Sequence, residues 1–389
     1  MATVKIKFAY KEGHAFGRIY YQIIHARKVR RIFTGIYLKP SEWSVRRSVA
    51  LVHEINARVR QESARIHRVI KSLDEAGVPY TADEAVAQYN MYVDKIELAK
   101  FMDSLIFRLK ASGRIRTAET YRSAFASFHG FRQGHPTMLD AMTADMMEDY
   151  QIYLKMRGLT LNSVSFYMRI LRAAYNQAVS AGLIDQRMPF RSVYTGIGKT
   201  VKRAVPIAVM RKIKRLDLSG LPALDYARDM FLMSFYLRGM SFVDMAYLRK
   251  SDLTGGYVSY RRRKTGQSLI IKWTREMKTI AGKYPVNVSD YLLPILRGNS
   301  VCERSTYRNA AYRINMSLKK IGIMLGIDIP LTMYVARHSW ASAAKAKGVP
   351  LSIISQGMGH DSEATTRIYL ASLDTSLIDK ANAAIISSI

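Results

Sequence analysis

The sequence predicts a mainly α-helical protein with small β elements, arranged in three successive parts. Three observations carry this prediction. The first forty residues are rich in β-branched and aromatic side chains, which favour strands. The middle of the chain repeats a purely helical pattern, punctuated by cap residues and glycines. The last part mixes helical segments with one short hairpin pattern. At 389 residues the chain is long enough for two or three domains.

Residues 1–90 are predicted to form a separate N-terminal module, a small sheet followed by a basic helix. The segments VKIKFAY, GRIYYQIIHA and KVRRIFTGIYL have strand composition, and KEGHAFG supplies a turn between the first two. From about Ser48 to Asp74, apolar residues recur at helical spacing. The Gly-Val-Pro run at 77–79 then ends the helix.

Residues 95–195 are predicted to form a compact four-helix bundle. Four amphipathic segments follow one another here, with cap residues at their starts and a glycine at the end of each. Their polar faces carry five arginines: Arg114, Arg116, Arg122, Arg169 and Arg172. A solvated face explains any one of these arginines, but the cationic surplus of the whole chain favours a bundle that faces nucleic acid.

Residues 196–205 have the composition of a basic linker to a third region, 206–389. The stretch 199–215 contains seven basic residues and no acidic one. We expect three linker cations to contact DNA: Lys199, Lys202 and Arg203. The third region opens with helices, continues through the hairpin GGYVSYRRRKTGQSLIIKW and returns to helices.

The charge balance points to a polyanionic partner. Lys and Arg total 60 against 30 Asp and Glu, which gives a formal charge of +30 and a pI near 10.1. A membrane surface is the rival polyanion. However, we find no apolar run long enough to span a bilayer, and MATVKIKFAY lacks a signal-peptide core. The single cysteine, Cys302, excludes an internal disulfide and a multi-cysteine zinc site. We therefore expect a cytoplasmic protein with no membrane partner.

The third region lacks the standard catalytic motifs that depend on a cofactor or metal. It has no Gly-rich phosphate loop, no HExxH motif and no cysteine-histidine cluster with zinc spacing. A metal-dependent nuclease needs clustered carboxylates, whereas acidic residues here are scarce and scattered. We expect chemistry performed by cations and a nucleophile, without cofactor or metal.

The segment LTMYVARHSWASAAKAKGVPLSIISQGMGHDSEATTRIYLAS resembles the C-terminal signature of the tyrosine recombinases, the phage integrase family. The upstream segment YLRGMSFVDMAYLRKSDL is similar to the one that holds the family's first arginine. The hairpin loop RRRKTGQ is similar to the one that carries its lysine. The variant pattern is most like integrases and invertases of Bacteroides-type mobile elements. The resemblance implies an arm-binding module, a SAM-like core-binding bundle and a mixed α/β catalytic domain of the tyrosine recombinase type.

The resemblance assigns roles to four side chains. Tyr369 is the implied nucleophile and Arg337 the second arginine that clamps the scissile phosphate. His360 is expected to hydrogen-bond that phosphate, although a helix-capping histidine also fits its position. Lys264 is the implied general acid for the departing 5′-oxygen. Guanidinium groups suit this chemistry because negative charge grows on the non-bridging oxygens as the phenol attacks.

For several of these residues an ordinary structural or DNA-binding role remains open. Most of the chain's 24 tyrosines must be structural, so only its place in the motif distinguishes Tyr369. Lys264 follows three arginines that we expect to bind DNA: Arg261, Arg262 and Arg263. It is therefore either the acid or one more cation of that group. In the family, His338 is more often a structural partner than a catalyst.

Two positions depart from the family pattern. Ser241 stands where the first arginine usually lies, and Arg238 comes three residues earlier. If the helix continues through Gly239, positions three apart share a face, and Arg238 supplies the guanidinium. Tyr334 stands where the family usually has histidine. A tyrosine donates a hydrogen bond but is a poor base near neutral pH.

The implied function is site-specific recombination, as an integrase or invertase, through a covalent 3′-phosphotyrosyl intermediate without ATP. The implied partners are double-stranded DNA, three further copies in a synaptic homotetramer and DNA-bending accessory proteins, in the nucleoid of a bacterial cytoplasm. A terminal helix, capped by Asp374 or Ser376, is expected to dock on a neighbouring copy. Two alternatives remain: a catalytically impaired DNA-binding protein of the same fold, or relaxation like that of a type IB topoisomerase.

Overall fold

The computed structural model describes residues 2–44, 49–50, 53–198, 203–285, 289–296, 302–370 and 386. It divides into two compact units, residues 1–199 and 200–389. In the described segments, no helix has the length and apolar character needed to cross a membrane. The linker cations Lys199 and Lys202 and the predicted cap residues Asp374 and Ser376 lie outside the described residues.

The first unit opens with an antiparallel sheet in the order β1-β2-β3, followed by a two-residue ladder. The strands are β1 (Thr3–Ala9), β2 (Gly17–His25), β3 (Lys28–Leu38), β4 (Trp43–Ser44) and β5 (Val49–Ala50). Alternation along β2 buries Ile19, Tyr21 and Ile23 on one face. Positive φ angles at Ala26 and Arg27 make the tight turn between β2 and β3.

Two helices, α1 (His53–Glu75) and α2 (Ala82–Ile96), pack on the buried face of this sheet. The sequence pattern predicts α1 but not α2. The signal for α2 is a capping box, since the Thr81 side chain accepts from the Glu84 backbone while the Glu84 carboxylate accepts from Thr81. The run Val78-Pro79 lies between the two helices.

The predicted four-helix bundle is confirmed. Its helices are α3 (Leu98–Ala111), α4 (Ile115–Phe131), α5 (Ala144–Met156) and α6 (Leu161–Ser180). A glycine with positive φ follows each of them, because an L side chain is disfavoured where the backbone leaves the helix in the left-handed conformation. The core contains an aromatic cluster in which Phe128 meets Tyr150 edge-on at 5.1 Å.

The second unit is helical except for one small antiparallel sheet. Its elements are α7 (Ile207–Arg215), α8 (Pro222–Tyr236), α9 (Phe242–Ala246), β6 (Leu253–Thr254), β7 (Tyr257–Arg261), β8 (Ser268–Lys272), α10 (Arg275–Gly282), α11 (Glu303–Met324), α12 (Met333–Ala346), α13 (Leu351–Met358) and α14 (Glu363–Leu370). Helix α8 is the centre of its core, with Met230, Phe231 and Met233 fully buried. Helices α11 and α12 pack against α8, and β7 and β8 form the predicted hairpin.

Candidate active site

Four segments of the second unit meet at Arg337, in the middle of α12. Its guanidinium is 4% exposed and donates from Nη1 to the Gly239 carbonyl at 2.7 Å. Nη2 donates to the Met358 carbonyl at 2.7 Å and lies 3.0 Å from His360 Nε2. Met358 is the last residue of α13, where the helix dipole is negative and favours a cation. Arg337 thus joins the α8–α9 turn, the end of α13 and the turn that leads into α14.

The contacts of His360 fix its tautomer. A guanidinium is only a donor, so Nε2 must accept from Arg337 and the proton must be on Nδ1. Nδ1 then donates to the Thr366 hydroxyl of α14 at 2.6 Å. Burial, and then the charges of Arg337, Arg262 and Lys264, lower the pKa of His360 to about 4. The imidazole is therefore neutral at physiological pH.

Two glycines allow this close packing. Gly239 has φ +71°, and a Cβ there would lie 2.8 Å from Arg337 Cα. Gly359 has φ +63°, ends α13 in the left-handed conformation, and would place a Cβ 2.9 Å from Leu269 Cδ1. Both positions combine a conformation that favours glycine with a close approach of another chain segment.

The β7–β8 hairpin loop is docked on the Gly359–His360 turn. Arg262 is buried and donates to the Gly359 carbonyl, which also accepts from Thr265 Oγ1 at 3.3 Å. Gln267 Nε2 donates to the His360 carbonyl at 3.1 Å. Lys264 lies exposed on this loop, beside the Arg337–His360 pair. The structure therefore brings together Arg337, His360 and the loop that carries Lys264.

The three hairpin arginines have different environments. Arg261 and Arg263 are exposed, and the Arg263 guanidinium stacks on the Tyr247 ring at 4.2 Å. Arg262 is buried against Gly359, so it anchors the hairpin loop and is not an exposed phosphate contact. Of the linker cations, Arg203 is described, and it is exposed.

Sequence reasoning missed Asp244, a buried carboxylate that supports this hairpin. Its Oδ1 accepts from the Arg263 backbone at 3.0 Å, and its Oδ2 accepts from the Ser241 hydroxyl at 2.6 Å. The available signal was the Ser-x-x-Asp spacing of SFVD, which is typical of a helix N-terminus. Ser241 accordingly caps α9, accepting from the Asp244 backbone.

The shared-face argument for Arg238 is wrong. Helix α8 ends at Tyr236, and both Arg238 and Gly239 have positive φ, which takes them out of the helix. From this turn, the Arg238 side chain lies against α13. Its Cδ lies 3.8 Å from the position a Cβ on Gly357 would take. Its charge, with those of Arg337 and Arg262, opposes the rise in the pKa of Tyr260 that burial causes.

The remaining predicted residues lie on α12 and α14. Tyr334 is 58% exposed, and its ring meets the buried His338 ring edge-on at 4.6 Å. Tyr369 is on α14, one turn beyond Thr366, and its side chain lies outside the described residues. Over the described ranges, no group of three or more His, Cys, Asp or Glu side chains is placed to hold a metal ion.

Three family models match successive parts of the chain. Residues 14–85 match an arm DNA-binding domain, 97–193 a phage integrase SAM-like domain, and 219–376 the phage integrase family. The tyrosine recombinase XerD of Pseudomonas putida is 20% identical over 69% of this chain and 90% of its own length.

Solved structures show the same fold. A lambda integrase dimer bound to a COC′ core site superposes with a TM-score of 0.55 at 16% identity, covering 92% of this chain and 93% of that one. A lambda integrase tetramer bound to a Holliday junction gives 0.53 at 17% identity, covering 88% of this chain and 94% of that one.

Replacing Gly239 tests the close approach to Arg337. Gly239→Ala is expected to lower the free energy of unfolding by about 2–4 kcal/mol, because it adds a steric conflict to left-handed backbone strain. Gly255→Ala is the matched control, since its φ is +59° and no atom lies within 4 Å of the added Cβ. Urea unfolding measures both, and equal losses would mean that the contact with Arg337 is unimportant.

The depressed pKa of His360 predicts a pH-dependent stability. In the unfolded chain its pKa is near 6.5 and in the folded chain about 4. Below pH 6.5 the unfolded chain takes up a proton that the folded chain does not take up until pH is near 4. The free energy of unfolding is therefore highest above pH 6.5 and falls as pH falls toward 4. From pH 7 to 5, wild type should lose about 2 kcal/mol of unfolding free energy relative to His360→Asn. An unchanged difference between the two proteins would contradict a buried, neutral imidazole.

Proposed function

We infer that this chain, which belongs to the phage integrase family of tyrosine recombinases, is a site-specific DNA recombinase. From that premise we propose that it cuts and rejoins DNA through a 3′-phosphotyrosyl bond to Tyr369. The observation that carries the proposal is the convergence of Arg337, His360 and the Lys264 loop on the turn that leads into α14. A nucleophile on α14 acts close to that turn.

Arg337 is proposed to hold the scissile phosphate. Charge on the non-bridging oxygens grows as the phenol attacks, and a guanidinium in a buried site stabilises that charge more strongly than water does. Its bonds to Gly239 and Met358 fix the guanidinium before substrate arrives, so little reorganisation is needed during the reaction.

His360 is proposed to support Arg337 first and the phosphate second. In the free protein Nε2 accepts from Arg337 and carries no proton. An arriving phosphate adds negative charge beside the ring and raises its pKa. Nε2 then takes up a proton and donates to a phosphate oxygen, while Nδ1 remains held by Thr366.

The proposed reaction balances without ATP or metal. The Tyr369 oxygen forms a bond to phosphorus, the bond from phosphorus to the 5′-oxygen breaks, and the phenolic proton leaves to solvent. Lys264 supplies the proton that the 5′-oxygen needs. Because the phosphotyrosyl ester retains the energy of the broken bond, a 5′-hydroxyl restores the strand by the reverse step.

DNA is the proposed partner because the chain carries a formal charge of +30. Its affinity should fall steeply with salt, since neutralising phosphates releases counterions. Solved relatives include a dimer on a core site and a tetramer on a Holliday junction, and we propose a tetramer for this chain too. Docking of the terminal helix on a neighbouring copy and the use of DNA-bending accessory proteins are parts of the same proposal.

A second candidate function is DNA binding without cleavage. Ser241, at the position of the family's first arginine, is engaged as the cap of α9, and Arg238 occupies an irregular turn. If Arg238 does not reach the phosphate, the site has one guanidinium fewer than the family pattern. Relaxation like that of a type IB topoisomerase uses the same cleavage step and differs only in lacking strand exchange.

The nucleophile is tested by covalent capture. Wild type and Tyr369→Phe are expressed in the source cells, the proteins are denatured and isolated, and attached DNA is sequenced. Wild type alone should carry DNA from a few discrete loci. If neither protein does, repeating the assay on a nicked suicide substrate, which prevents religation, separates an inactive binder from rapid rejoining.

The role of Arg238 is tested by single-turnover cleavage of a nicked substrate at saturating protein. Arg238→Ala should slow cleavage about 100- to 1000-fold if its guanidinium stabilises the developing charge. Arg275→Ala removes an equal charge from an exposed position at the start of α10 and should cleave at nearly the wild-type rate. Cleavage by Arg238→Ala at the wild-type rate would remove Arg238 from the site.

A further inference from the structure

The first unit has two hydrophobic cores that share one helix. Ala85 and Tyr89 of α2 pack in the core beneath the sheet, whereas Ile96 at the end of the same helix belongs to the core of the bundle. Tyr92, between them, contacts both cores. A single residue, Glu97, separates α2 from α3. Helix α2 therefore packs in the core of the sheet module and in the core of the bundle, and joins the two.

A partly buried ion pair lies on the other side of this joint. Arg65 of α1 is 5% exposed, and its guanidinium forms a fork on Asp140, with Nε to Oδ2 at 2.8 Å and Nη2 to Oδ1 at 2.7 Å. Asp140 lies in the short 3₁₀ helix Leu139–Ala141 between α4 and α5. Arg65 Nη1 also donates to Glu62 at 2.9 Å, and Glu62 accepts from the Tyr89 hydroxyl. The network thus links α1, α2 and the bundle.

Further bonds surround the pair. Arg68, one turn along α1, bonds the Asp185 carboxylate, and Tyr92 donates to the Leu183 carbonyl at 3.0 Å. Arg187 donates to the backbone carbonyl of Asp140 at 3.0 Å, which holds the acceptor segment in place. Because a guanidinium fork on a carboxylate is directional, these contacts fix orientation as well as distance.

The exposed face of the sheet is equipped to contact DNA. Arg18 lies over the rings of Phe33 and Tyr37, at 5.0 and 5.6 Å, and Arg31 lies over Tyr20 at 5.3 Å. The cations are thus held by aromatic rings on the face opposite the core. The bundle carries its own exposed arginines, among them Arg116 and Arg122.

We propose that the sheet module and the bundle form one rigid DNA-binding body, and that the Arg65–Asp140 ion pair fixes their relative orientation. This inference rests on the proposed function. It means that DNA bound by the sheet module and DNA bound by the bundle are held at a fixed separation and rotation. Two modules on a flexible tether would instead be coupled only through their effective concentration. Rigid presentation limits which arrangements of two DNA contacts one copy can occupy together.

Inter-module distances test the proposal on the full chain. In a Cys302→Ser background, Lys5→Cys on the sheet and Lys110→Cys on α3, both exposed, receive spin labels. Double electron–electron resonance should give one narrow distance peak for wild type. The peak should stay in place when a mixed-sequence duplex is added at low salt. A broad distribution, or a peak displaced by the duplex, would overturn a rigid body.

Breaking the Arg65–Asp140 ion pair should broaden the distance distribution. Asp140→Asn removes the carboxylate charge with little change in shape, and a broadened distribution is expected. Asp83→Asn is the matched control, because it breaks a similar fork between Arg30 and Asp83, inside the module and with both partners about half exposed. It should leave the peak narrow. A narrow peak in folded Asp140→Asn would overturn the role of the pair.

Arg65→Lys keeps the proposal testable if Asp140→Asn does not fold. It retains the cation but loses the fork, so the peak should broaden while the chain stays folded. A peak as narrow as that of wild type would mean that the fork does not set the geometry. All these distances are independent of cleavage, so a chain without recombinase activity would leave the result interpretable.

Discussion

The second unit depends on one buried guanidinium. The Arg337 guanidinium is buried and hydrogen-bonds the carbonyls of Gly239 and Met358 and the ring of His360. A charge taken out of water is tolerated only when such partners are well placed. The two chain segments that supply these partners must therefore keep their turns, and both turns use glycine in the left-handed conformation. The packing of α12, α13 and α14 and the geometry of the site have the same origin.

Positive charge accumulates at this point. Arg262 is a second buried cation, and Lys264 and Arg238 lie nearby. The effect is visible at His360, whose pKa is lowered by burial and by the charges of Arg337, Arg262 and Lys264, so that the ring is neutral. A phosphate diester entering the site relieves the repulsion among them. The bound diester already has one negative charge, so only the additional charge that develops during attack favours the transition state over the ground state.

The sequence predicts the regular parts of the molecule well and the close contacts poorly. Periodicity and glycine stops predict the bundle, and the alternation around KTGQ predicts the β7–β8 hairpin. The end of α8 at Tyr236 was missed, although Gly239 has a positive φ like the glycines that follow the bundle helices. The burial of Arg262 and the role of Asp244 were also missed. The partner of Arg262, Gly359, is far along the chain, and a local pattern does not reveal it. For Asp244, the SFVD spacing indicated the helix start but not the bond to the Arg263 backbone.

If the proposed mechanism holds, Arg337 binds the scissile phosphate from its present position. The direct measurement is a structure of the Tyr369→Phe variant on the duplex that covalent capture identifies. We expect a non-bridging oxygen within hydrogen-bond distance of the Arg337 guanidinium, with the bond to the Gly239 carbonyl retained and the edge of the substituted phenyl ring facing phosphorus. A phosphate held by Arg261 and Arg263 instead, with Arg337 still bonded only to protein, would contradict it.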